Sequence, residues 1–449
     1  MARIHMPGAE SPTTRRLPWM IAGDTLSGIF GMLTVFGSAF VLFLDALGLD
    51  NTRIGVLLAL VPFCGIISIF IAPLVSRWGF RRTALIFWGA RHFFMALVLF
   101  TPVILRLFGL ELAYLWAAVL ILIFGLFRAT AETAFYPWVQ EVVPNSIRGK
   151  FSAITGVIST LAQMITVALA SLYIEGGTGT GRYMVLIGVG SVIGASSVLC
   201  YARVPGGAPM PEGGNLSAHL RSMGVVLRDR GYMLFLAALS LLTLVISTFS
   251  FVPLFMTEQV GMSSGNAMML SVAASGGSIL SSYLWGWSAD RYGSRPVMRW
   301  VIAVLLLSPI TWLLMPRHSP ISMTLAFGVA FVQGVGNIGW TLASQRYLFV
   351  HSATSERRVA YLTCYYVWSQ IANGLGPILV GSLLDATQGL TGRIVGVQLD
   401  PYAPMFMGAI VLMLLGLLAV TRLRGDTVAR ESVACAPQAE LGKQDDRGV

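Results

Sequence analysis

Long apolar stretches separated by short polar turns run through most of this 449-residue chain. A helix needs about 20 apolar residues to cross the ~30 Å hydrocarbon core of a bilayer, and twelve stretches reach that length. The pattern predicts an all-α membrane protein with twelve spans, near residues 19–45, 54–75, 83–106, 112–138, 151–174, 183–203, 232–257, 266–289, 297–316, 321–345, 359–384 and 403–422.

Composition supports lipid as the solvent of this chain. Hydrophobic residues make up 55% and charged residues only 11%, which is too little charge to cover soluble surfaces of this size. A net charge of +10 is compatible with a nucleic-acid partner in principle. The positive charges lie in short turns between apolar runs rather than along one face, so we expect a bilayer and no nucleic acid as partner.

The distribution of Lys and Arg predicts the orientation. With the N-terminus inside, 23 of them fall in cytoplasmic segments and five in external loops, and basic residues are retained on the cytoplasmic side. The first apolar run, from Trp19, is longer than a signal-peptide core and is expected to remain as a span. We therefore expect a multi-pass protein of the cytoplasmic (inner or plasma) membrane with both termini in the cytoplasm.

A charged turn after the eighth span has a weaker copy after the second. The turn Gly286-Trp-Ser-Ala-Asp-Arg-Tyr-Gly-Ser-Arg-Pro296 is echoed by Ala72-Pro-Leu-Val-Ser-Arg-Trp-Gly-Phe-Arg-Arg82. Between the sixth and seventh spans lies a polar stretch with a Pro/Gly run, which is typical of a flexible linker. These features predict a cytoplasmic N-terminal segment, a six-helix bundle, a cytoplasmic linker, a second six-helix bundle and a disordered cytoplasmic tail, at residues 1–18, 19–203, 204–230, 231–424 and 425–449.

This organisation resembles the major facilitator superfamily. The turn that marks that family has a Gly, three residues, Asp-Arg, an aromatic residue, Gly and further basic residues. The second copy has these as Gly286, Asp290, Arg291, Gly293 and Arg295. The first copy keeps Arg77, Gly79, Arg81 and Arg82, but Ala72 stands in place of the Gly and Ser76 in place of the Asp.

The resemblance implies a secondary transporter that works by alternating access between two pseudo-symmetric bundles. In that family the charged turn latches the cytoplasmic side shut while the outside is open. Because Ser76 replaces the acidic residue, the latch is expected to be unequal between the halves. The alternative is that these residues are only basic anchors that set the topology.

Among the ionisable residues inside predicted spans four stand out, namely Asp24, Arg91, Arg128 and Glu132. Each costs on the order of 2.5–3.5 kcal/mol to place in the bilayer, so each is a candidate for function. Arg128 and Glu132 are four residues apart and share one helix face. The resemblance places the first and fourth spans at the central cavity. Together these residues indicate proton coupling or substrate contact, and the alternative is a static network of ion pairs.

The second half has amides and aromatic residues inside its spans instead of charges. Neutral amides and aromatic rings suit hydrogen bonding and stacking with a polar organic solute. They equally suit ordinary contacts between helices. The candidates for the substrate cavity are Gln333, Asn337, Trp340, Gln370 and Asn373.

Enzymatic chemistry is not indicated. The spans contain no HExxH motif and no credible Ser/His or paired-Asp arrangement, and the four cysteines follow no CxxC pattern, so we expect no metal and no cofactor. Gly334-Val-Gly-Asn-Ile-Gly339 matches a dinucleotide fingerprint but lies inside a span, where helix packing explains it better.

We predict a monomeric transporter that takes up a small polar organic solute, such as a sugar or organic acid, with protons. The alternatives are an exporter of drugs or metabolites and a membrane sensor that transports nothing.

Overall fold

The computed structural model describes residues 16–144, 147–177, 179–209, 216–353, 358–394, 397–423 and 425. Nearly all of these residues are helical, and the prediction of an all-α membrane protein is confirmed. Most of the predicted N-terminal segment 1–18 and of the tail 425–449 lies outside the described residues.

The described residues of the first half (17–201) form nine α-helices, many of which begin or end at a glycine. Gly79 and Gly109 lie between consecutive helices with φ of 92° and 84°, a conformation that favours glycine. The helices are α1 (Leu17–Leu33), α2 (Ser38–Ala46), α3 (Asn51–Gly65), α4 (Ser68–Trp78), α5 (Phe80–Leu97), α6 (Thr101–Phe108), α7 (Leu110–Val142), α8 (Arg148–Glu175) and α9 (Thr180–Tyr201).

The second half (230–421) follows a short connecting helix. Gly293, with φ of 84°, separates two of its helices as Gly79 does in the first half. In chain order the elements are α10 (Leu216–Val226), α11 (Arg230–Thr248), α12 (Val252–Phe255), α13 (Ser264–Tyr292), α14 (Ser294–Leu313), α15 (Pro320–Ala353), α16 (Arg358–Ala386), β1 (Gly392–Ile394), β2 (Val397–Leu399) and α17 (Ala403–Thr421).

Eleven segments of the described chain are long and apolar enough to cross a membrane, and α3 with α4 makes a twelfth if this bent pair is one span. The two helices meet at an angle of 53°. Pro62 lies inside α3 and Pro73 inside α4, and each removes a backbone hydrogen bond from its helix. The second span is therefore the least regular of the twelve.

Each half packs largely on itself. In the first half α1 lies against α8 and α9, and α5 lies against α7 and α9; in the second half α13 and α14 pack on α15, and α11 packs on α16 and α17. Glycines bring α13 and α15 into backbone contact. A Cβ on Gly277 would stand 2.1 Å from the carbonyl oxygen of Phe331, and one on Gly334 would stand 1.8 Å from that of Ala274. The glycine pattern around 334–339 thus serves helix packing.

The two halves meet along α3 with α16 and along α8 with α13. At one end of the bundle a Cβ on Gly381 would stand 2.1 Å from the carbonyl oxygen of Asn51. Nearby, the Ser171 hydroxyl donates a 2.7 Å hydrogen bond to the carbonyl of Gly265. We call this end, where Asn51 meets Gly381 and Ser171 meets Gly265, the closed end. The opposite end carries the two charged turns and is called the gate end.

The sequence pattern did not predict α10 or the β1–β2 hairpin. The hairpin pairs Gly392 with Leu399 in the loop between the last two spans. In the connecting segment, expected to be flexible, Gly207 donates a 3.0 Å hydrogen bond to Glu141 and accepts one of 3.3 Å from the amide of Arg81. Its φ of 71° permits this turn. The start of the segment is therefore fixed to the first half.

Candidate functional site

A cavity of about 530 Å³ lies between the two halves, and both halves contribute to its wall. Apolar residues such as Phe36, Val61 and Phe249 form part of the lining. Among the described residues that line it, Arg128 carries the one formal charge. The polar side chains of the wall are Ser38 and Arg128 from the first half and Ser247, Ser250, Asn337, Gln370 and Asn373 from the second.

A break in the first span forms one wall of this cavity. Helix α1 ends at Leu33 and α2 begins at Ser38. Residues 35–37 of the break and Ser38, the first residue of α2, line the cavity. A Cβ on Gly37 would stand 1.8 Å from the carbonyl oxygen of Met32, so only glycine fits this turn. The amino end of α2 borders the cavity and favours negative charge there.

Arg128 and Glu132 form an ion pair on α7. The distance from Nε of Arg128 to Oε1 of Glu132 is 2.9 Å, and their side chains are 24% and 22% exposed. The guanidinium of Arg128 also lies 4.8 Å from the ring centroid of Phe36, in the break of the first span. The spacing of four residues therefore places both groups on one face, and that face contacts the cavity through Arg128.

Arg91 and Asp24 lie behind this pair, away from the cavity lining. Arg91 is 5% exposed, donates a 2.7 Å hydrogen bond to the hydroxyl of Ser27 and stacks on Phe30 and Trp88. It is within electrostatic range of Glu132. Asp24, in contrast, forms no ion pair with any described residue.

Asp24 contacts a hydroxyl rather than an arginine. It lies half-buried on α1 beside Ser159 of α8, and Ser159 also bonds to Thr25 at 3.1 Å. A carboxyl group among hydroxyls can hold a proton or exchange it with water. Asp24 forms neither a hydrogen bond nor an ion pair with the side chains of Arg128 and Glu132.

Three predicted amides of the second half line the cavity. The Oδ1 atom of Asn337 is buried and has no hydrogen-bond partner among the described residues. Gln370 donates a 3.1 Å hydrogen bond to the hydroxyl of Tyr366, and Asn373 donates one of 2.8 Å to the carbonyl of Ser369. Asn337 therefore offers an acceptor that the protein leaves unsatisfied, which costs free energy unless a solute or water donates to it.

Gln333 and Trp340 occupy different positions from the other three candidates. Gln333 lines a small adjoining cavity of about 70 Å³ together with Ser38 and Phe249. Trp340 is 3% exposed and packs in the hydrophobic core of the second half rather than on the cavity wall. The sequence pattern missed Ser38, Ser247 and Ser250, because isolated serines in apolar helices have no distinguishing spacing.

The first charged turn is bonded to its own half. Gly79 has φ of 92° and links α4 to α5, and the Arg81 guanidinium donates a 2.6 Å hydrogen bond to the carbonyl of Ala202. Ser76, in place of the acidic residue, donates to the carbonyl of Pro73 at 2.9 Å. Arg77 and Arg82 lie in the same turn, at the end of α4 and the start of α5.

The second charged turn joins helices of the second half. Asp290 pairs with Arg346 of α15 at 3.1 Å while its side chain remains 80% exposed. Arg295 donates to the carbonyl of Thr421 in α17, and Arg291 stacks on aromatic side chains of α13. A Cβ on Gly286 would meet no described atom within 4 Å, so no helix approaches that glycine closely in this conformation.

The closed end contains a contact that the sequence pattern missed. Asp385, in the last turn of α16, accepts hydrogen bonds from the backbone amides of Asn51 and Thr52 at 3.2 and 2.6 Å. The sequence does contain a signal for it. A carboxylate at the carboxyl end of a helix is unfavourable with respect to that helix's own dipole, which indicates a partner elsewhere.

Comparisons with known proteins agree with this architecture. The sequence matches the family described as Major Facilitator Superfamily over residues 25–279 and 233–436. No curated protein sequence matches the chain.

Several solved structures share the fold at low sequence identity. The nucleoside transporter NupG is 14% identical, with a TM-score of 0.67 over 92% of this chain and 100% of that one. A bacterial homolog of the human lysosomal transporter Spinster is 14% identical, with a TM-score of 0.63 over 92% and 96%. A D-xylose–proton symporter is 12% identical, with a TM-score of 0.63 over 91% and 96%.

Proposed function

The chain belongs to the major facilitator superfamily and is a secondary transporter, and we propose that it takes up a small polar organic solute together with protons. The observation that carries this proposal is the cavity between the halves. It is large enough for a solute of a few carbon atoms, and its wall combines Arg128, the cation of an ion pair in one half, with amides of the other half.

The conformation supports alternating access. The halves are in contact at the closed end, through α3 with α16 and α8 with α13, and Arg128 of the Arg128–Glu132 pair lines the cavity. We infer that this state is open toward the gate end. A rocking motion of the halves would break the contacts at the closed end and bring the two charged turns, one from each half, together at the gate end.

The ion pair supports proton coupling. A carboxylate beside an arginine can alternate between a salt bridge and a protonated form as water access changes. Glu132 is paired with Arg128, which lines the cavity, so the carboxylate lies next to the proposed solute path. The excess of basic residues at the gate end supports a cytoplasmic location for that end, with the protein in the cytoplasmic membrane.

Flux measurements test the proposal. Purified protein in liposomes is offered labelled sugars, organic acids and nucleosides, the last because one structure with this fold is a nucleoside transporter. We expect accumulation of at least one class when the lumen is alkaline, beyond that of protein-free liposomes. Accumulation only under the reversed gradient would identify an exporter, and no flux of any class under either gradient would identify a protein that does not transport.

A further inference from the structure

Arg128 has hydrogen-bond donors that the protein does not use. Its Nε is paired with Glu132, while its terminal nitrogens have no hydrogen-bond partner among the described residues. Arg128 lines the cavity and Glu132 does not. Because a guanidinium presents a planar fork suited to a carboxylate, the cavity face of Arg128 can bind a second anion.

The surroundings hold this fork in place. Phe36 lies 4.8 Å from the guanidinium and lines the same cavity, so stacking limits the rotation of the Arg128 side chain. On the other wall, the buried Oδ1 of Asn337 lacks a donor. A solute that satisfies both groups has an anionic end and a hydroxyl or amine that donates a hydrogen bond.

Given the proposed transport function, we propose that the solute is a small hydroxylated carboxylate whose carboxylate replaces Glu132 on Arg128 while Glu132 takes up a proton. Two carboxylates at one guanidinium repel each other, and the repulsion is removed when Glu132 becomes neutral. Solute binding and protonation of Glu132 therefore favour each other.

The exchange balances in atoms and charge. The ion pair of Arg128 with Glu132 breaks, an ion pair of Arg128 with the solute forms, and a proton from water forms an O–H bond on Glu132. On the other side of the membrane the solute leaves, Glu132 gives its proton to water, and the original pair forms again. Empty and loaded sites carry the same net charge, so one anion and one proton cross with no net charge movement.

Other charged or titratable groups also face Glu132. Arg91 of α5 and Tyr366 of α16 are within electrostatic range of it, as is Tyr136 on its own helix. Asp24 of α1 is within electrostatic range of Tyr136. The proposed exchange takes place among these groups, of which Arg91 is a second cation beside Arg128.

The test uses matched pairs of acids and neutral analogues with the full-length protein. D-Galacturonate is compared with D-galactose, and D-glycerate with glycerol, by quenching of tryptophan fluorescence and by proton uptake in weakly buffered solution. We expect the acids to bind with about one proton taken up per anion. In liposomes, an alkaline lumen should drive their uptake, and a potassium diffusion potential should not.

Two variants assign the roles. Arg128→Gln should weaken binding of the acids by about 10- to 100-fold, the loss expected for a charge-assisted hydrogen bond. Glu132→Gln should still bind the acids but without proton uptake. Arg106→Gln, at an exposed arginine of α6, is the matched control and should change neither result. If Arg128→Gln does not fold, Arg128→Lys retains the charge without the fork and should show a smaller loss.

Several results would overturn this inference alone. They are neutral analogues that bind or enter as well as the acids, unchanged acid binding by Arg128→Gln, or uptake driven by the diffusion potential. In each of these cases proton-coupled transport of a polar solute still stands. If no member of any pair binds or crosses while another polar solute is taken up with protons, the inference fails and the proposed function stands; if no solute of any class is taken up under either gradient, both fail.

Discussion

The carboxylate of Asp385 accepts a 2.6 Å hydrogen bond from the backbone amide of Thr52, although the two residues belong to opposite halves. Its other oxygen accepts from the backbone amide and the side chain of Asn51, both at 3.2 Å. The next amide, that of Arg53, is satisfied within its own half by Asp50 at 2.7 Å. One carboxylate at the end of α16 thus caps the amino end of α3, where negative charge is favoured.

Asp385→Asn should open the closed end more often. Asparagine lacks the charge and has only one acceptor oxygen, and hydrogen bonds to a charged group contribute about 1.5–3 kcal/mol. We expect the population of molecules that are open at this end to rise by roughly tenfold. The measurement is the rate at which a membrane-impermeant maleimide, added at the closed end, modifies Ser38→Cys in a background without the native cysteines.

Glu111→Gln is the control for this variant. Glu111 is a carboxylate that pairs with Arg53 of the same half, so its loss breaks no contact between the halves. The modification rate should remain at the value of the parent protein. An unchanged rate in Asp385→Asn would show that the capping hydrogen bonds do not hold this end closed.

Gly381→Ala should prevent the same end from closing. The added Cβ would lie 2.1 Å from the carbonyl oxygen of Asn51, and a backbone atom at that distance has to move. We expect solute flux to fall by at least tenfold while the protein still folds. Gly408→Ala is the control, because a Cβ at Gly408 would meet nothing within 4 Å. Normal flux in Gly381→Ala would mean that α3 and α16 adjust without cost.

Local spacing accounts for what the sequence predicted well. Each span is a continuous apolar stretch. The Arg128–Glu132 contact follows because residues four positions apart lie on the same face of a helix. The halves follow from the repeated turn with Gly79 and Gly293, both of which have positive φ. These features require no knowledge of which helices are neighbours.

Contacts between distant segments could not be predicted in this way. The bond between Asp385 and Thr52 spans 333 residues, and no periodicity links the two positions. The break of the first span at residues 34–37 contains no proline, so the pattern predicted one continuous helix. The polar residue types of the second half predicted Asn337 and Gln370 at the cavity, but they did not distinguish Trp340, which is in the core.

Substitutions of the cavity amides should therefore change the KM for the solute, whereas a substitution of Trp340 should change the stability of the protein. Asn337→Ala and Gln370→Ala should raise the KM for the solute by about 5- to 20-fold, the effect of losing one hydrogen bond of ~1–1.8 kcal/mol. Trp340→Phe should leave KM unchanged and lower the melting temperature, because Trp340 is 3% exposed and packs in the core. A KM effect of Trp340→Phe larger than that of Asn337→Ala would contradict this assignment.

A second contact at the closed end should matter for stability rather than transport. Arg317 pairs with Asp400 at 2.5 Å, with side chains 8% and 10% exposed, and Asp400 also accepts from the amides of Tyr402 and Ala403 at 2.9 Å. Arg317→Ala leaves a buried carboxylate without its cation, which costs on the order of 3–5 kcal/mol. The melting temperature in detergent should fall by several degrees.

The pair Arg53–Glu111 provides a matched comparison for this prediction. It has the same 2.5 Å distance, but its side chains are 26% and 79% exposed. An exposed ion pair contributes little to the stability of the fold, because water and salt screen the attraction between its charges. Glu111→Ala should therefore leave the melting temperature almost unchanged, and an equal loss in both variants would show that burial does not decide the effect.

Asp229 should make the stability of the second half depend on pH. It caps α11 by accepting from the amide of Gly231 at 2.9 Å, and it also accepts from the Tyr361 hydroxyl at 3.0 Å. Burial raises the pKa of Asp229, but hydrogen bonds from Tyr232, Tyr361 and His351 outweigh that effect and hold the pKa below its usual value.

A lowered pKa means that the carboxylate stabilises the fold at pH values above the unfolded pKa of about 3.9, and that this stabilisation is lost as pH falls through the folded pKa. Asp229→Asn should therefore melt at a lower temperature than the parent at pH 7, and the difference should begin to shrink below about pH 4 and close as the pH falls through the folded pKa. Asp229→Ser retains a capping oxygen without the charge and should lose less than Asp229→Ala. A difference between parent and Asp229→Asn that stays constant from pH 7 to pH 3.5 would show that the charge of Asp229 contributes nothing.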